Sequence, residues 1–138
     1  MKIAFVVSEF NSEVTGPMEE TARRHAKSLG VEVSRTIHVP GVFDMPPIVK
    51  RLLKRADVDG VVMIGAVITG ETHHDEVITH AIAHVSTMLA AEFEKPVGFS
   101  ITGPGMTDAQ AVGRIENATR GVDAVVRVAR ELEKLGKG

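Results

Sequence analysis

The chain has 138 residues, 43% hydrophobic and 25% charged, with a formal net charge of −2; that suits one domain over 1–138 and offers no electrostatic footprint for nucleic acid. It contains no cysteine, which excludes disulfides, thiolate metal sites and a cysteine nucleophile together. No apolar run reaches membrane-spanning length and the start reads as a strand rather than a signal peptide, so a soluble, cytoplasmic protein without membrane contact is expected.

In chain order, Ile3 to Val7 is a continuous apolar run, read as a buried first strand. After Phe10-Asn11 comes a helix, with Pro17 expected in its first turn, Met18, Ala22, His25, Ala26 and Leu29 at helical spacing, and Gly30 closing it. Val31, Val33, Ile37 and Val39 alternate with polar residues, as in a strand with one wetter face. Asp44 is expected to cap a helix whose first turn holds Pro46 and Pro47 and whose apolar face is Ile48, Leu52 and Leu53.

Val61 to Ile68 is the most apolar run of the chain and reads as a strand buried on both faces, stopping at Gly70. Thr72 and Asp75 have capping-box spacing for a helix from about His74 to Glu92. That helix is apolar over most of its circumference, through Val77, Ile78, Ala81, Ile82, Val85, Met88 and Leu89. Such a helix is covered on more than one side, and in so small a domain another subunit is one expected cover. Pro96 to Ile101 is expected as the fourth strand and Thr102 to Met106 as a loop. Thr107 and Gln110 form another capping box, opening a helical region over 108–135 that is expected to break near Arg120-Gly121.

Strands alternating with helices predict an α/β fold, a three-layer α/β/α sandwich around a flavodoxin-like four-stranded parallel sheet of order 2-1-3-4. The switch point then lies between the first and third strands, where ligands bind outside the carboxyl ends. Phe10-Asn11, Val42-Phe43-Asp44 and the stretch from Thr69 to His74 would surround that crevice, with a helix N-terminus favouring an anion. His74 is the best acid/base candidate because its ordinary pKa lies near working pH. A surface histidine at a helix start is the competing reading. His80 and His84 share a helix face but lack a third ligand at recognisable spacing, so they read as surface or interface residues. Phe10 could stack a planar heterocycle, although a lone Phe more often packs. Arg114 and Arg120 are shaped to grip phosphate but more often are solvated. Gly103-Pro104-Gly105 is a weak phosphate-cradle signal.

In combination these segments are specific. Phe10-Asn11 with Val14-Thr15, Val39-Pro40-Gly41-Val42-Phe43-Asp44-Met45-Pro46, and Gly65-Ala66-Val67-Ile68-Thr69-Gly70-Glu71-Thr72-His73-His74 occur in that order. Pro96-Val97-Gly98-Phe99 and Gln110-Ala111 with Arg114 follow. The chain thereby resembles the lumazine synthase family of riboflavin biosynthesis, in its archaeal form. The resemblance implies a transferase that condenses 5-amino-6-ribitylaminouracil with 3,4-dihydroxy-2-butanone 4-phosphate, losing phosphate and water, with no cofactor and no metal. The family's stacking aromatic falls on Phe10 and its catalytic histidine on His74. Its phosphate contacts fall on Glu71 and Thr72 through backbone N–H groups, on Arg114 and, by a looser alignment, on Arg120. Pyrimidine and ribityl contacts fall on Asn11, Val42, Phe43, Asp44, Ala66, Val67, Ile68 and Phe99. Phe99 and Arg114 would reach in from a neighbouring subunit of a homopentamer, and a shell of 60 subunits is compatible with the segment around Thr119-Arg120-Gly121.

Asp44 stands where the family usually has Glu, Thr69 where Arg is frequent, and His73 where Pro is frequent. Two other readings compete. One is a related archaeal riboflavin synthase, expected to lack the Glu71-Thr72-His73-His74 segment. The other is a non-catalytic shell protein that binds flavin or a phosphorylated ligand.

Overall fold

Residues that alternate in or fall continuously within the apolar runs set the sheet and its two faces. A computed structural model of the chain describes residues 1–68, 74–112 and 114–136, with 104, 106, 108 and 112 described by backbone alone. The strands are β1 (Lys2–Ser8), β2 (Glu32–Val39), β3 (Gly60–Ile68) and β4 (Val97–Met106). The helices are α1 (Ser12–Ser28), α2 (Pro46–Leu53), α3 (His74–Phe93), α4 (Asp108–Val112) and α5 (Thr119–Leu135), with 3-10 turns at Val42–Asp44 and Ile115–Ala118. All strand pairs are parallel, in the expected order β2-β1-β3-β4.

The two-residue period of a strand divides the core into two. Ile3, Phe5, Val7, Val62 and Ile64 face α1 and α5, packing on Val14, Met18, Ala22, Val122 and Val125. Ala4, Val6, Val61 and Met63 face the other way, onto Val49, Leu52 and Leu53 of α2 and Ile82 of α3. Because β3 lies inside the sheet with helices on both faces, every residue from Gly60 to Val67 is buried. Its uninterrupted apolar run follows from that position. α1 closes as expected: Gly30 takes a φ of 72°, while Val31 N–H bonds to Ala26 O and Gly30 N–H to Lys27 O. These two bonds satisfy the helix's last carbonyls.

Four expectations are corrected. Pro17 lies in the second turn of α1, which begins at Ser12. Asp44 does not cap α2, because its carboxylate accepts the Gly41 N–H, within the 3-10 turn. β4 continues five residues past Ile101. Its register shifts between Ala66 and Ile68 of β3 and resumes at Met106, so a bulge absorbs the Gly-Pro-Gly segment that composition marks as loop. Finally, the break in the last helical region precedes α5, and Gly121 sits in that helix's first turn.

Gly121 serves close packing rather than helix termination. A Cβ there would lie 2.2 Å from Ser100 Oγ, and one on Gly98 would lie 2.4 Å from the Gly121 carbonyl oxygen. The Ser100 hydroxyl accepts the Gly121 N–H at 3.0 Å and donates to Ala118 O at 2.7 Å. A buried side chain of β4 thus satisfies the start of α5, which has no side-chain cap of its own.

Candidate functional site

The switch point lies between β1 and β3, which pair side by side in the sheet, and the residues expected around it follow their carboxyl ends. Glu9 N–H and Phe10 N–H bond to Val39 O and Pro40 O at 2.8 and 3.0 Å, so the chain leaving β1 is held against the chain leaving β2. Asn11 then turns with a φ of 61°, a left-handed conformation that Asn tolerates better than most residues. Its Nδ2 donates to Ala66 O at 3.0 Å, tying β1 to β3 across the switch point. In the opposite wall, Asp44 Oδ2 accepts the Gly41 N–H at 3.0 Å and fixes the Val42–Asp44 turn.

This framework presents Phe10. Its ring lies over Gly41, where an added Cβ would be 2.9 Å from Cδ2, and the residue is 67% exposed. An aromatic ring held in place yet uncovered on one side is a platform for a flat ligand. Phe43 is likewise exposed, at 63%, whereas Val42 is buried. A Cβ on Gly65 would lie 2.6 Å from Val42 Cγ2, so that glycine lets the turn seat directly on β3. Ala66 and Val67 are buried and Ile68 half-buried at the end of β3. His74 opens α3 and is exposed, as proton exchange with a ligand requires. Glu71 and Thr72, with Thr69, Gly70 and His73, lie outside the described residues.

The remaining candidates gather elsewhere. Phe99, Arg114 and Arg120 line a concavity of about 160 Å³ together with Met18, Ser100, Ile101, Thr102, Gly103 and Asn117. It opens at the β4 edge, on the side of α1 and α5, and includes none of Phe10, Val42, Phe43, Asp44 or His74. Composition gave no reason to expect Asn117 or Thr102 there; they join because the 3-10 turn before α5 packs beside the end of β4. A larger concavity of about 740 Å³ runs along the outer face of α5. It is lined by one helix only, from Ala124 to Leu135, lacks an opposing wall, and holds no candidate residue.

His80 and His84 are exposed on α3, and among the described residues no group of three or more His, Cys, Asp and Glu could hold a metal ion. No helix of the described residues is long and apolar enough to cross a membrane.

Comparison with known proteins identifies the family. The model of the 6,7-dimethyl-8-ribityllumazine synthase family matches residues 1–135. The 6,7-dimethyl-8-ribityllumazine synthase of Methanococcus aeolicus is 45% identical over 135 residues, covering 98% of this chain and 99% of the relative. That of Methanocaldococcus jannaschii is 47% identical over 135 residues, covering 98% and 96%. That of Metallosphaera sedula is 47% identical over 139 residues, covering 100% and 92%. The neighbouring riboflavin synthase reading finds no support in these matches. With matches that run nearly end to end, the chain belongs to the 6,7-dimethyl-8-ribityllumazine synthase family.

Proposed function

We propose that the protein carries out its family's reaction, condensing 5-amino-6-ribitylaminouracil with 3,4-dihydroxy-2-butanone 4-phosphate to 6,7-dimethyl-8-ribityllumazine. The observation that carries this reading is the Phe10 ring, held over Gly41 and open to a flat ring at the switch point. The pyrimidine stacks on Phe10, with Val42, Phe43 and the end of β3 along its edges. Asp44 gives one carboxylate oxygen to the Gly41 N–H and turns the other toward ribityl hydroxyls. Asn11 ties the framework through Nδ2, which donates to Ala66 O, and leaves its amide oxygen for the ligand.

Both reacting groups, amine and ketone, belong to the substrates, so the protein needs no nucleophile. Holding the two together supplies much of the acceleration. The amine attacks the ketone carbon and water leaves; phosphate elimination then leaves a second carbonyl, onto which the ribitylamino nitrogen closes with loss of a second water, and His74 moves protons in these steps. Arg114, assisted by Arg120, stabilises the departing phosphate.

The site is completed by a second copy. The basic concavity of about 160 Å³ falls below the roughly 300–1,000 Å³ usual for ligand pockets, and it lies apart from Phe10 and His74. We therefore read it as a half-site offered to the neighbouring subunit of a homopentamer. The outward face of α3 suits such an assembly, since Val77 and Met88 are 65% and 60% exposed, with exposed Ala81 between them. Whether pentamers close into a 60-subunit shell is decided by particle mass.

The test mixes the protein with both substrates and follows fluorescent lumazine and free phosphate together. Equal amounts of both are expected. Bound flavin with no turnover would instead favour the non-catalytic reading, with the protein acting only as a binder.

A further inference from the structure

Asp75 is a buried carboxylate with no part in the chemistry described above. It follows His74 directly, in the first turn of α3, and is only 4% exposed. Its Oδ2 accepts the Gly105 N–H at 2.8 Å, across 30 residues of chain. Its carbonyl accepts the Thr79 hydroxyl at 2.7 Å, which anchors the same turn from inside. A carboxylate is favourable there because the first turn is the positive end of the helix.

The segment it grips also packs closely against the end of β3. Gly103 has a φ of 110°, and a Cβ on it would lie 2.3 Å from Val67 O. Only glycine allows β4 to approach the end of β3 so closely. The Gly-Pro-Gly bulge therefore lies tight against the β3 carbonyl on one side and is bonded to the Asp75 carboxylate on the other. Its Gly105 N–H is directed at a protein carboxylate rather than outward, as a phosphate cradle would require.

We infer that Asp75 is a positioning residue, which clamps the end of β4 to the first turn of α3 and thereby sets where His74 stands against the end of β3. The same bulge includes Gly103, a wall of the basic concavity, so the clamp also fixes that pocket relative to the crevice on the same chain. The functional part of this inference rests on the lumazine-forming reading. The clamp itself does not.

The test compares the full-length protein with Asp75→Ala and Asp75→Asn. Two readouts are used: steady-state lumazine formation, and hydrogen exchange of the peptide spanning 100–112. Asparagine keeps an oxygen that can accept the Gly105 N–H; alanine keeps none. Asp75→Ala is expected to speed exchange in that peptide and to lower kcat by roughly 10- to 100-fold, the scale of an ångström-size misplacement. KM for the pyrimidine should change less than about threefold, since Phe10 and its framework are untouched. Asp75→Asn should restore both exchange and kcat to near the parent values, which a general need for a buried charge would not predict. Unchanged kcat in Asp75→Ala, or asparagine no better than alanine, overturns the positioning role. If the parent protein forms no lumazine, the functional reading fails separately. Unaltered exchange in Asp75→Ala would then overturn the clamp as well.

Discussion

The switch-point region and the pocket at the β4 edge are built in opposite ways. The first is shaped by backbone: Phe10 is hung from Pro40, Asn11 from Ala66, and Gly41 from Asp44. It presents an aromatic platform and a histidine, and none of its described candidate residues is a Lys or Arg. The pocket presents two arginines beside Phe99, on a wall where Gly98 and Gly121 bring α5 against β4. A substrate pair comprising a planar heterocycle and a phosphate needs what each region lacks. On the proposed reading one copy of the chain carries two unlike halves of a site, and the sharpest way to break that reading is to separate them.

His74→Ala and Arg114→Ala should each lower lumazine formation by roughly 10²–10³-fold, one by removing a proton shuttle and the other a charge on the leaving phosphate. The informative experiment is to coexpress the two variants. If each site takes its crevice from one subunit and its arginine from the next, random mixing leaves about a quarter of the interfaces with both groups intact. Activity should then return to about that fraction of the parent's. No recovery beyond either variant would place both halves on the same chain.

The pocket can also be deformed without touching its charges. An alanine at Gly98 meets the Gly121 backbone, with its Cβ 2.4 Å from the carbonyl oxygen, and backbone cannot rotate aside as a side chain can. Gly98→Ala should therefore cost about 1–3 kcal/mol in denaturant unfolding. It should also weaken the phosphate-bearing substrate more than the pyrimidine, because Arg120 adjoins Gly121. A variant as stable as the parent would mean that α5 does not depend on this close approach.

These contrasts also explain what could be read before the structure. The sheet order, and with it the place of the switch point, was legible because it follows from periodicity and from the topology of parallel strands. Runs such as Ile3–Val7 and Val61–Ile68 can be buried in few ways. Hydrogen-bond commitments were not legible. The Asn11 amide is directed to Ala66 and the Asp44 carboxylate to Gly41, whereas sequence marks both simply as polar residues in a ligand crevice. Glycine was ambiguous for the same reason. Gly103 and Gly121 read as loop and helix-break signals, but tight packing against β3 and β4 is what each position requires, and packing partners far along the chain leave no local trace. The basic pocket could be assigned only through family resemblance, since nothing in the spacing of Phe99, Arg114 and Arg120 announces a shared wall.

A gentler perturbation addresses the crevice. Phe10→Ala removes the platform while leaving its framework, and should raise KM for the pyrimidine about 2- to 10-fold, the equivalent of roughly 0.5–1.5 kcal/mol of ring interaction. Stability should move little, because Phe10 is 67% exposed. Gly41→Ala keeps the ring but displaces it, since the new Cβ would lie 2.9 Å from Cδ2. Its effect on KM should have the same direction and be smaller. The double variant should then be no worse than Phe10→Ala alone, because both act through one contact. Additive effects would show that Gly41 acts on the ligand by another route.

The smallest effect is expected at Asp57, away from both regions, where it tests whether the two halves suffice. Arg55 donates two hydrogen bonds to this carboxylate at 2.8 and 3.0 Å. That hydrogen bonding is the main cause that holds the Asp57 carboxyl below its usual pKa. A lowered folded-state pKa means stability that is present above the unfolded carboxyl's pKa and lost as pH falls through the folded one. Both partners are exposed, so solvent and salt screen the pair and its contribution is slight. Asp57→Asn should unfold marginally more easily than the parent at neutral pH, with the gap closing in acid and in high salt. Lumazine formation should be unchanged at every pH where both proteins are folded. A changed rate at neutral pH would mean that a third region governs turnover, and a division into two halves would no longer describe the site.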